Sequence, residues 1–348
     1  MTPRFLLVRL GSLGDIVHAL PVAAALRAAF PGARLDWLVE ARWQELLELN
    51  PALSNVIPVD TRAWRRALWR PRTWRSLNGV VGTLRRARYD IAFDLQGLYK
   101  SALLAWLSRA PRRVGFERAF AREAGATRFY TERVRPPAGK HVVEMNLALA
   151  GAACPAAGGK EAARFPLPVS AEEDAQVEEW LRANHLVEFF LLSPGGGWGA
   201  KRWPLERYAQ VHNAVARARG WRSVVNVGPG EEALFNEFLK HARVTRPMQA
   251  SLPLRQLVAL LRRARLVISG DSGPLHLAAA LGTPTVGLYG PTDPVRNGPC
   301  GPRAVALHHG EQAAISYKRE HKPSPAMLAI TVEEVVAAAD RLLEGAGG

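Results

Sequence analysis

The chain has 348 residues, 48% hydrophobic and 22% charged, the balance of a globular protein too long for one ordinary core, so two domains are expected. Lys and Arg outnumber Asp and Glu by 46 to 31, a formal net charge of +15, which calls for an anionic partner: nucleic acid, an anionic membrane or a phosphorylated substrate. Cys154 and Cys300 are the only cysteines, too few for a disulfide framework or a zinc cluster, and no apolar run reaches the ~18–20 residues of a membrane span or forms a signal peptide, so a cytoplasmic protein that is not integral to a membrane is expected.

In chain order, Phe5–Val8 reads as a strand, Gly11–Asp15 as a tight loop and Ile16–Phe30 as a helix. Leu35–Val39 is a strand, Arg42–Leu49 a helix, Val56–Val59 a strand, Tyr89–Leu95 a buried strand and Lys100–Leu107 a helix. Gly151–Lys160, rich in Gly, Ala and Pro, reads as a linker. The alternation then restarts: helix Ser170–Asn184, strand Phe189–Leu192, loop Gly195–Gly199, helix Leu205–Arg219, strand Ser223–Val227, helices Glu231–His241 and Leu254–Arg263, strand Leu266–Ser269, helix Pro274–Leu281, strand Thr285–Tyr289 and a closing amphipathic helix Ile330–Leu343. Such alternation predicts an α/β protein of two Rossmann-like halves with parallel sheets. Ligands of such sheets bind at the carboxyl ends of the strands.

Five segments can carry chemistry. In Gly11-Ser-Leu-Gly-Asp15 the GxGxxG fingerprint is absent. Asp15 there is either a first-turn carboxylate complementing the helix dipole or a general base, with His18 one turn on. Ser193–Pro204 (SPGGGWGAKRWP) is a glycine loop made for turn geometry or for cradling phosphate, with Lys201 as a point charge. In Asp271-Ser-Gly-Pro-Leu-His276, Pro274 suits a first helical turn, so the N–H groups around Ser272 and Gly273 form an anion site between Asp271 and His276. Glu231 and Glu232 follow a strand end and either bind ribose or complement a helix dipole. Arg62–Arg75 interleaves six arginines with three tryptophans, a mixture suited equally to nucleic acid or to an anionic lipid interface; the resemblance given next favours lipid or a phosphorylated glycolipid.

Gly14-Asp-Ile-Val-His-Ala-Leu-Pro21, Asp36-Trp-Leu-Val-Glu40, Asp94-Leu-Gln-Gly-Leu-Tyr-Lys-Ser101, Lys201-Arg-Trp-Pro204, Asp271–His276 and Tyr289-Gly-Pro-Thr-Asp-Pro294 together resemble the lipopolysaccharide heptosyltransferases, the ADP-heptose glycosyltransferase family 9. The resemblance spans roughly residues 5–340 and leans toward the heptosyltransferase I branch on His18–Pro21, Asp36-Trp37 and Arg62–Arg66; heptosyltransferase II or another nucleotide-sugar transfer is the alternative. It implies the GT-B fold: domains at 1–160 and 161–330 facing each other across a cleft, and a helix at 331–348 crossing back to the first. It implies inverting, metal-independent transfer from ADP-L-glycero-β-D-manno-heptose to the Kdo of Kdo-lipid A, with no cofactor, by a monomer working peripherally at the cytoplasmic face of the inner membrane against its anionic surface. By the same resemblance Asp15 is the catalytic base. Lys201, Glu231, Glu232, Asp271, Ser272, Gly273 and His276 hold the donor, and Gly14, His18, Arg62, Arg65, Arg66, Gln96 and Lys100 hold the acceptor. The base and the donor phosphates then lie on different domains, so domain closure is expected. Many relatives carry a cysteine-bearing segment where Tyr317–Ala326 has none. No metal is expected, since no Asp-X-Asp motif is present.

Two other classes compete. A basic nucleic-acid-binding protein fits the charge and the Arg/Trp segment but leaves both strand–glycine loop–helix sites unexplained. A dinucleotide oxidoreductase fits the halves but lacks its fingerprint.

Overall fold

A computed structural model describes residues 2–67, 69–159, 163–228, 230–310 and 322–345. The chain forms two compact units, Met1–Pro168 and Val169–Gly348. The first holds a six-stranded sheet of β1 (Arg4–Val8), β2 (Arg34–Glu40), β3 (Asn55–Val59), β4 (Ile91–Asp94), β5 (Arg112–Phe116) and β6 (Glu132–Val134). The second repeats the plan with β7 (Phe189–Ser193), β8 (Arg222–Asn226), β9 (Met248–Ala250), β10 (Leu266–Gly270), β11 (Thr285–Tyr289) and β12 (Ala304–His308). Every pairing is parallel. The strand orders are β3-β2-β1-β4-β5-β6 and β12-β11-β10-β7-β8-β9, so each sheet has the doubly wound order 3-2-1-4-5-6 and one topological switch point, between β1 and β4 or between β7 and β10. The expected α/β class and its two parallel sheets are observed.

Covered on both faces, the central strands are apolar along their whole length. Leu6, Leu7 and Val8 of β1 and Phe190, Leu191 and Leu192 of β7 are fully buried. Their neighbours form a core in each unit, around Leu38, Ile57, Leu84 and Leu104 in the first and around Trp203, Tyr208, Phe238 and Leu288 in the second.

Several expectations change. The stretch 16–30 is two helices, Leu13–Val17 and Leu20–Ala29, because Pro21 lacks the N–H that a continuous helix needs and sits instead in a first turn. The unit boundary lies at 168, not 160. Part of the presumed linker is core: Gly151 ends the helix Val142–Gly151, and Ala157 of the short turn Pro155–Ala157 is 1% exposed. Its end, Lys160, lies outside the described residues, as do residues 317–321 of the cysteine-free segment. The closing helix Val332–Glu344, capped by Thr331 and Glu334, was expected to cross back to the first domain. Its apolar face, Val335, Ala338 and Ala339, is instead part of the second unit's core, where these small side chains let it pack closely. Among the described residues no helix is long and apolar enough to cross a membrane.

Candidate active site

Each switch point gathers some of the residues singled out from the sequence. In the first unit, β1 ends at Val8 and Arg9 follows, its side chain 4% exposed. Arg9 Nη1 donates to the carbonyl of Leu95, just past β4, and Nη2 pairs with Asp15 Oδ1 at 2.6 Å. Asp15 is the third residue of the helix Leu13–Val17. Its Oδ2 accepts from Ser12 N at 2.9 Å and Ser12 Oγ at 3.1 Å, half of a capping box, and lies 3.6 Å from Arg122 Nη1. Asp15 therefore caps its helix and is also a carboxylate at a switch point. Burial is the largest single influence and pushes its carboxyl upward. The charges of Arg9 and Arg122, the Ser12 N–H and a smaller contribution from His18 overcome that and hold it well below the usual carboxylate range.

The other expected acceptor residues divide into buried and exposed. Gln96 is 5% exposed, and its Oε1 accepts from Leu10 N at 2.9 Å, tying the end of β1 to the end of β4. His18 is 3% exposed and sets its ring edge-on to His141 at 5.1 Å; Asn146 donates to its carbonyl at 3.1 Å. Gly14 is buried inside its helix. Lys100 lies 3.7 Å from Glu40 and 3.3 Å from Thr61 Oγ1. Arg62, Arg65 and Arg66 are exposed on the helix Thr61–Arg66, capped by Asp60. Beneath the loop, Asp94 accepts from Gln96 N, Gly97 N, Ser101 Oγ and Tyr130 OH. Its burial still leaves the carboxyl raised, which suits a structural hub.

In the second unit, the glycine loop after β7 leads to Lys201, and Asp271 follows β10 directly. Lys201 Nζ pairs with Asp271 Oδ2 and lies 4.2 Å from the centre of the Trp198 ring, a cation–π distance. Asp271 also accepts from Thr292 Oγ1 at 2.8 Å and from His276 Nε2 at 3.2 Å. Burial again opposes ionisation most strongly. The hydrogen bond from His276 and the charge of Lys201 outweigh it and hold Asp271 well below the usual range. Ser272 caps the helix Gly273–Ala280 through its backbone, and its Oγ contacts Ser269 Oγ at 2.9 Å. Glu231 Oε2 accepts from Gly228 N at 3.1 Å, and Arg202 lies 3.7 Å from its other oxygen. A Cβ on Gly195 would strike that carboxylate, so the glycine loop packs directly against Glu231. Glu232 is exposed and turns to Gly230 N of its own loop at 3.1 Å. Among the described residues no three His, Cys, Asp or Glu side chains gather as a metal ion needs.

Residues 79–326 match the model of Glycosyltransferase family 9 (heptosyltransferase). The chain belongs to glycosyltransferase family 9. It is similar to lipopolysaccharide heptosyltransferase 1 of Pseudomonas aeruginosa, 33% identical over 311 residues covering 87% of this chain and 83% of that one. It is 28% identical to the Escherichia coli K12 protein of the same name, over 84% and 89% of the two chains. Of solved structures, E. coli heptosyltransferase WaaC with ADP matches with a TM-score of 0.77 at 25% identity over 97% and 99%. The family 9 glycosyl transferase of Veillonella parvula matches with 0.81 at 24% identity over 99% and 98%. As a family 9 member the protein is a glycosyltransferase.

Four neighbours of Asp15, Lys201 and Asp271 were given no role from the sequence: Arg9, Arg122, Trp198 and Thr292. Arg9 had a signal, a charge closing an apolar strand run. Thr292 lies in the Tyr289–Pro294 motif, but nothing there pointed to Asp271; Arg122 had no signal, because it meets Asp15 only through the fold.

Proposed function

We propose that this glycosyltransferase moves heptose from ADP-L-glycero-β-D-manno-heptose to the Kdo residue of Kdo-lipid A, by one inverting displacement that needs no metal. The observation that carries this reading is the pairing of two different charge arrangements with two switch points: a carboxylate clamped by arginine after β1, and a lysine beside a helix N-terminus after β7 and β10. Asp15 accepts the acceptor hydroxyl's proton. A carboxylate held so firmly ionised is a weak base, so the proton moves late, once the bond to the anomeric carbon has made the oxygen strongly acidic. The donor's diphosphate leaves from the opposite face with the electrons of the broken bond. Lys201 and the N–H groups around Ser272 and Gly273 stabilise the charge it gathers, and Glu231, lodged beside Gly195 and Gly228, accepts from the ribose hydroxyls. Similarity to relatives named heptosyltransferase 1, at 33% and 28% identity, supports assignment to that branch, above others named heptosyltransferase 2 at 27% and heptosyltransferase 3 at 24%.

Incubation with ADP-heptose and Kdo-lipid A is expected to add one heptose, read by mass, and to release ADP at the same rate with EDTA as without. Product from another nucleotide sugar only would overturn the substrates, and loss of turnover in EDTA the metal-free step.

The acceptor is a lipid, and residues 1–168 carry 26 Lys or Arg against 13 Asp or Glu, where residues 169–348 carry 20 against 18. Trp69 is 76% and Trp74 52% exposed within the Arg/Trp segment, an arrangement that suits the headgroup region of an anionic membrane. Replacing both with Ala is expected to lower binding to vesicles containing anionic lipid by about tenfold, measured by sedimentation. Unchanged sedimentation would remove this segment from the membrane interface.

A further inference from the structure

Asp15 has two guanidinium neighbours of opposite character. Arg9 is 4% exposed and held from two sides, by the Leu95 carbonyl and by Asp15 Oδ1. A buried cation so placed has nowhere else to go without losing its counter-charge. Arg122 is 49% exposed, and at 3.6 Å from Oδ2 it is beyond the range of a charge-assisted hydrogen bond. Its backbone is fixed close to Gly97, which at φ +70° has no Cβ to strike Ala121 and Arg122, and whose carbonyl accepts from Glu123 N at 2.9 Å. The long side chain is therefore the only part of Arg122 that has to move to change partner.

We propose that Arg9 is the positioning residue that fixes the Asp15 carboxylate, and that Arg122 is an exchangeable partner which leaves Asp15 for the acidic group of the incoming acceptor. This deepens the proposed function and rests on Asp15 being the base. Arg9 keeps Oδ1 and so presents Oδ2 as the oxygen that receives the proton from the acceptor hydroxyl. The groups facing Asp15 are Arg9, Arg122, Ser12 and His18, and each of them favours its ionised form. Withdrawing Arg122 to a carboxylate or phosphate on the acceptor removes one of those influences as the hydroxyl arrives. The base gains proton affinity only when there is a substrate to use it. Arg122 and the acceptor anion meanwhile form the closer and less exposed pair.

The pH dependence of kcat reports the loaded enzyme and that of kcat/KM the free one, so the exchange has a kinetic signature. In the wild type the acid limb of kcat is expected at higher pH than that of kcat/KM. Arg122→Ala is expected to raise the acceptor KM at least about tenfold, to leave kcat within about threefold, and to bring the kcat/KM limb up toward the kcat limb. Arg9→Gln is expected to cost about 10²-fold or more in kcat and to move both limbs toward the ordinary carboxylate range, with Arg9→Lys restoring most of the rate. ADP affinity and thermal melting of each variant check that it is folded. Wild-type kcat and limbs in Arg9→Gln would overturn the positioning role. A kcat loss at unchanged KM in Arg122→Ala would overturn the exchange, and because Arg122 is exposed that variant remains informative if Arg9→Gln does not fold. Full activity in Asp15→Asn is a separate result that removes the base itself.

Discussion

Asp15→Asn is expected to lower kcat for sugar transfer by about 10²–10⁴-fold, the usual worth of a positioned base, while ADP affinity stays within about twofold, since the Lys201–Asp271 cluster proposed to hold the diphosphate belongs to the other unit. The substitution has a second consequence. Arg9 is left 4% exposed with its nearest counter-charge gone, and breaking a buried pair from one side costs up to about 3–5 kcal/mol. Two features lower that figure here: Asp15 keeps 16% exposure, and the Asp94 carboxylate still attracts Arg9. The melting temperature should therefore fall without loss of the folded state at assay temperature. Asn retains an oxygen for the Ser12 N–H, so the helix cap survives, and a kcat loss measured well below the melting point reports proton transfer. Should Asp15→Asn melt early yet turn over at the wild-type rate, the carboxylate is only a cap and a counter-ion.

The order of elements was legible because both cores are built from strands that are apolar from end to end, and glycine loops mark where they stop. The strands of the first unit read well up to β4 for that reason and poorly beyond: β5 begins Arg112-Arg113 and β6 is only Glu132–Val134. Before β4, the Arg/Trp composition of residues 70–88 hid the helix Pro71–Ala87, which buries just Thr73, Val81, Leu84 and Ala87. In the second unit β9 is three residues long, and β12 is half-buried throughout. Short or half-exposed edge strands take their pairing from the sheet and not from their own pattern. The same distinction holds at the site. Asp15, Lys201 and Asp271 were visible because each stands beside a glycine turn at a strand end. Gln96 and His18 stand there too, yet their burial gives the Gln96 amide to Leu10 and the His18 ring to His141. Sequence position identifies the switch point, and only packing says which side chains at it remain available.

Lys201→Met is expected to lower kcat by about 10²–10³-fold, as for loss of one preorganised donor to a charge that develops in the transition state, and to weaken ADP by about tenfold, the worth of one charge-assisted hydrogen bond. The rival explanation is that Lys201 merely neutralises Asp271. A double-mutant cycle separates the two. Lys201 and Asp271 are 12% and 9% exposed and in direct contact, so their effects on stability must couple. Removing the lysine leaves Asp271 buried beside Thr292 and His276, and its carboxyl then rises from its depressed position because the charge that Lys201 contributed is gone. If neutralisation were the whole role, Asp271→Asn combined with Lys201→Met would relieve that burden, and the double variant would bind ADP as well as the wild type. If the ammonium also serves the diphosphate, stability recovers in the double variant but ADP affinity and kcat do not. Calorimetric titration with ADP on the four proteins reads the difference directly. Restored affinity in the double variant would remove Lys201 from the donor site and leave the helix N-terminus at Gly273 as the main holder of the phosphates.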